Sequence, residues 1–136
     1  MNLKDVIHNL IKQNKEVSAF LETANNGHAD YALVTYANFL TQSSYNAALS
    51  LYFANTLQFA SDPEISEQFE PKDIEELYDS LLTLNEKCSD IYIDAANFAD
   101  DTLNNKIKAK EIAEIGIKRL QIQIAELEEL LKDVGS

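Results

Sequence analysis

Turn-forming residues are scarce in this chain. Three glycines and two prolines in 136 residues leave few places to reverse direction. That scarcity argues against a many-stranded architecture and for long helices. Cys88 is the one cysteine, so no internal disulfide can form, and a reducing compartment is favoured. Within LLTLNEKCSDIYI it falls at apolar helical spacing and reads as a packing residue, not a reactive thiol. Bases are also few. Eleven Lys and Arg face twenty-three Asp and Glu, a net charge of −12. Such a chain is repelled by phosphates, which argues against direct nucleic-acid binding. The nearest candidate, KIKAKEIAEIGIKR, has its five bases interrupted by two glutamates.

No continuous apolar run with a small-residue cleavage site after it opens the sequence, so no secretory signal is expected and the localisation reads as cytoplasmic. Residues 31–60 carry no charge and hold seven of the twelve aromatics. Their Asn, Gln, Ser and Thr content is too high for a bilayer span, so no membrane contact is expected. The expectation is instead a central hairpin or helix covered by its neighbours, with a self-association surface as the other use for so much apolar area. The missing charge is concentrated just downstream. Residues 61–101 hold thirteen acids and two bases, while 102–136 hold six of each.

With 46% apolar and 25% charged residues, the composition is globular and the length suits one domain. Apolar residues recurring at three- and four-residue steps predict an all-α, antiparallel bundle of four to five helices over about 2–24, 29–42, 44–60, 72–101 and 105–133. Asn2 is a candidate cap for the first helix, with Asp5 in its first turn, and Asn25-Asn26-Gly27 is the clearest stop. A break at 42–44, with Ser44 capping the third helix, is favoured over one helix spanning 29–60. Residues 61–71, SDPEISEQFEP, read as an acidic loop with two prolines, and Pro71 suits the first position of the next helix. Gly135 is placed just past the end of the last helix. QIQIAEL alternates like a strand, but its surroundings are helical.

Tyr45, Ala48, Leu49 and Tyr52, downstream of the helical Tyr36–Leu40 region, resemble half of a tetratricopeptide repeat, whose second helix carries Y-x-x-A-L-x-x-Y. The likeness covers about thirty residues. It departs where Tyr36 replaces a glycine, where Asn55 replaces an alanine and where Pro63 falls too late. No second copy is evident at the repeat period. The resemblance implies peptide or protein binding.

Chemistry-bearing patterns are sparse. There is no phosphate-binding glycine loop, nucleophile elbow or His-Glu-x-x-His motif. A bundle metal site of the Glu-x-x-His type is not matched: His8 is preceded by Asp5 and His28 by Asn25. Asp90, Asp94 and Asp101 read as the wet face opposite Ile91, Ala95 and Phe98. No catalytic, cofactor or metal residues are therefore expected, and the chain is not read as an enzyme. The functional expectation is an interaction protein that binds and regulates, inhibits or escorts a basic protein partner. Its candidate contacts are Glu64, Glu67, Glu70, Glu75, Glu76, Asp79, Asp90 and Asp94, with Phe69 and Tyr78 as apolar anchors. The alternatives are a structural subunit that forms a homodimer or joins a larger complex, and the peptide-binding module that the repeat-like segment implies.

Overall fold

The computed structural model describes residues 2–42, 46–84 and 89–135, apart from the side chains of Ala29, Tyr36 and Leu40. The described residues are all-α. They divide into two compact units, 1–84 and 85–136.

The first unit begins with α1 (Leu3–Asn25). The Asn2 side chain accepts from the Asp5 N–H, as the sequence suggests, and the Gln68 side chain accepts from the Leu3 N–H at 2.9 Å. Two of the backbone donors that a helix start leaves open are thereby satisfied. Gly27, at φ +90°, ends the turn after α1, a conformation glycine reaches without strain. α2 (Ala29–Gln42) comes next and packs on α1, with Phe20 meeting Phe39 edge to face at 5.6 Å.

α3 (Ala47–Leu57) is a separate helix, because Asn46 is extended and its side chain caps the Leu49 N–H at 3.1 Å. The cap is thus Asn46, not Ser44; of the predicted break at 42–44, Gln42 is the last residue of α2 and Ser43 and Ser44 lie outside the described residues. The uncharged 31–60 region is not the covered centre that its composition suggests. Tyr31, Leu33, Val34, Leu49, Tyr52 and Phe59 are all exposed. Two of its threonines are satisfied on their own helices instead. Thr35 donates to the Tyr31 carbonyl and Thr56 to that of Tyr52.

The expected 61–71 loop contains one helical turn, α4 (Pro63–Ser66), because Asp62 caps the Glu64 N–H and Pro63 occupies its first position. α5 (Pro71–Leu84) then starts on Pro71, as expected. Of the single helix predicted over 72–101, the stretches of α5 and of α6 (Ser89–Asp101) are helical; residues 85–88, Cys88 among them, lie outside the described residues, and with them the predicted continuity.

The core of this unit is the α1–α5 pair. Ile7, Ile11 and Val17 from α1 and Ile74, Leu77, Leu81 and Leu84 from α5 are buried. Among them lies one polar pair. Asn14, fully buried, donates to the Ser80 hydroxyl at 3.0 Å, and Ser80 donates to the Leu77 carbonyl at 2.7 Å. A satisfied buried pair fixes the register of two otherwise slippery apolar faces.

The second unit consists of α6 and α7 (Lys106–Gly135). Gly135 belongs to α7 and does not lie past its end, and QIQIAEL is helical within it. Asn104, at φ 52°, takes the left-handed position that Asn tolerates, and Asn105 caps the Lys108 N–H. Lys106 bonds Asp100 at 2.8 Å across this turn, and that hydrogen bond holds the ammonium pKa above its usual value. The helices approach closely at Gly116, where a Cβ would lie 2.8 Å from the Tyr92 Cβ. α7 buries only Ile112 and Gly116.

Asn14→Ala is expected to lower stability by about 2 kcal/mol, from lost packing and the lost inter-helix bond to Ser80. Urea unfolding followed by far-UV circular dichroism measures this. The double variant Asn14→Leu, Ser80→Ala is expected to recover part of the loss, since apolar replacements refill the space and no Ser80 hydroxyl remains to be satisfied.

Candidate protein interface

The solvent side of α5 is set by its spacing. Ile74, Leu77, Leu81 and Leu84 face the core, which turns Glu75, Glu76 and Asp79 outward. Glu76 and Asp79 are exposed and Glu75 half-buried. Just upstream, α4 and the residues after it place Glu64, Glu67 and Glu70 in solvent as well. The first unit therefore gathers six of the eight predicted acidic contacts on α4, α5 and the segment joining them. Asp90, exposed, and Asp94, half-buried, belong to the second unit.

Of the two predicted anchors, Phe69 is half-buried, whereas Tyr78 is not on the surface. Tyr78 is 2% exposed, and its hydroxyl accepts from Gln58 Nε2 at 2.7 Å and donates to Asn55 Oδ1 at 2.5 Å. It is the bolt that ties the end of α3 to α5, and it cannot serve a partner. The exposed apolar groups in this part of the chain are Phe59, at 81%, and Ile65, at 44%. Phe59 is visible in the sequence as an aromatic at the end of an apolar helix, close to a proline-containing turn.

Asp73 carries more structure than its place in an acidic run suggests. It is buried, and its Oδ2 accepts from the Glu70 N–H at 2.9 Å, closing the start of α5. The same oxygen lies 3.8 Å from Lys4 Nζ, and Oδ1 lies 3.5 Å from His8 Nε2. One carboxylate thus caps α5 and pairs it electrostatically with α1. Ligand atoms of His8, Asp73 and Glu76 fall within 4.8 Å of one another, so among the described residues this is the group that could hold a cation. Sequence reasoning missed the grouping because His8 and Asp73 meet only through the α1–α5 packing. The cap and the nearby Lys4 already occupy Asp73, so the arrangement works as an ion-paired helix start. His8, Lys12, Lys15 and Glu76 also edge an open groove of about 590 Å³. The acidic surface therefore meets a mixed-charge border along α1.

The repeat-like segment does not pack as a repeat. α2 lies mainly on α1 and α3 on α5, whereas a tetratricopeptide unit pairs its own two helices. Tyr45 lies outside the described residues. Among the described residues no helix is long and apolar enough to cross a membrane. No family model, curated protein or solved structure matches this chain.

Tyr78→Phe is expected to cost about 1–2 kcal/mol, since two part-buried side-chain bonds lose their partner while the ring stays packed. Thermal unfolding reads this directly. A tyrosine kept only for its ring would show no change.

Proposed function

We propose that this chain is an acidic helical interaction protein that binds a basic protein partner through the α4–α5 surface, and so regulates, inhibits or escorts it. The observation that carries this reading is the exposure of Glu64, Glu67, Glu70, Glu76 and Asp79 on α4, α5 and the segment joining them, together with the exposed Ile65 of α4 and Phe59 just upstream of it. Charge steers the approach of a basic partner, and apolar anchors supply the desolvated contact that holds it. Residues 1–84 contain twelve acids and four bases, a net of −8, so the long-range field favours the same partner. That field also disfavours nucleic acid. Asp90 and Asp94 extend the acidic character to the second unit.

The test compares the native chain with the variant Glu75→Lys, Glu76→Lys, Asp79→Lys in capture from a native extract. A basic protein is expected to be retained near 0.05 M salt and weakened at least about tenfold near 0.5 M, because exposed pairs are screened beyond a few ångströms there. The charge-reversed variant is expected to lose it at both salts. Equal retention by the variant, or affinity unchanged by salt, would overturn the reading.

A further inference from the structure

The strongest unexplained feature outside the acidic surface is α7. At thirty residues it is about 45 Å long. Ala113, Ile117, Leu120, Ile124, Leu127, Leu131 and Val134 recur along it in strict alternation of four and three residues. That is a heptad seam, with Ile117, Ile124 and Leu131 in one register and Ala113, Leu120, Leu127 and Val134 in the other. Helices with such a seam associate by knobs-into-holes packing. The seam is bare: from Ile117 to Val134 its six side chains are between 38% and 74% exposed. A monomer that left this stripe in water would be unusual.

The charge along α7 selects the occupant and its direction. Residues 106–121 hold five bases and two acids, a net of +3, and residues 122–135 hold four acids and one base, a net of −3. A parallel copy would set like charges side by side, whereas an antiparallel copy sets each basic half against an acidic half. We propose that α7 is the dimerisation element of this protein and pairs with α7 of a second copy in an antiparallel, two-fold arrangement.

Antiparallel knobs-into-holes layers pair one register with the other, and one alignment uses all six exposed side chains: Ile124 lies beside Leu127 of the other copy, Leu120 beside its Leu131, and Ile117 beside its Val134. A place is ready for the end of the incoming helix. Tyr92, Ile93 and Ala96 of α6, with Ala113, Ile117 and Leu120, line an apolar cavity of about 250 Å³. Leu131 and Val134 of the other copy come to this end of the seam. Burying the two stripes removes on the order of 1,000 Å² from water, the scale at which specific interfaces begin. None of these residues belongs to the acidic surface, so dimerisation and partner binding stand or fall separately.

Sedimentation equilibrium of the full chain tests association, and cysteine cross-linking tests direction. A dimer is expected at micromolar concentration, and Leu127→Glu with Leu131→Glu is expected to weaken it about hundredfold or more, with helicity retained because both positions are exposed. In a Cys88→Ser background, Ile117→Cys mixed with Val134→Cys is expected to give the cross-linked heterodimer. A monomer at 0.1 mM, a double variant that dimerises as well as the native chain, or cross-links formed only between identical positions would overturn the proposal. Should the glutamate variant lose helicity, the cysteine pair decides alone.

Discussion

The first unit depends on the contact between α1 and α5. These helices bury matched apolar faces, and nothing in two aliphatic surfaces by itself selects one register over another. Asn14 and Ser80 provide that selection. The Asn14 amide reaches the Ser80 hydroxyl only when the helices are aligned, so a slip would leave a buried amide without that partner, whereas Ser80 keeps its bond to the Leu77 carbonyl of its own helix. At the far end of the same contact, Asp73 closes the start of α5 while facing Lys4 and His8 from α1. The pair is therefore pinned at two levels, by a neutral hydrogen bond inside and by charge near the surface.

The remaining long helices of that unit attach mainly to this pair. α2 is held on α1, with Phe20 and Phe39 in edge contact, and α3 is held on α5 through the Tyr78 hydroxyl. The arrangement leaves their outer faces in water, which explains how a charge-free run of thirty residues can be so exposed. The acidic surface proposed for a partner sits on the outer side of α5. The helix that organises the core therefore also presents the charge.

Much of this is legible in local chemistry. Asn2 with Asp5, Gly27 and Pro71 fix helix ends through caps and backbone angles that depend only on near neighbours. The helical stripe of α5 announces itself through Ile74, Leu77, Leu81 and Leu84. The hidden part is tertiary. Tyr78 flanks that stripe and looks like a surface anchor until Asn55 and Gln58 arrive from α3 to take its hydroxyl. Asp73 looks like one acid among many until the α1–α5 packing brings His8 and Lys4 to it. Absence of charge in 31–60 suggests burial, yet Thr35 and Thr56 satisfy themselves on their own helices and need no cover. The cap at Asn46 competes with Ser44 as an equally good residue type, and only the extended backbone at Asn46 decides between them.

The central role of the α1–α5 pair in the first unit is tested most directly by native-state hydrogen exchange. The amides of Ile7 to Val17 and of Leu77 to Leu84 are expected to exchange slowest in residues 1–84, in one cooperative step, with α2 and α3 opening at lower free energy. Protection of α2 and α3 as strong as that of α1 and α5, or opening of α1 while α5 stays closed, would contradict that role.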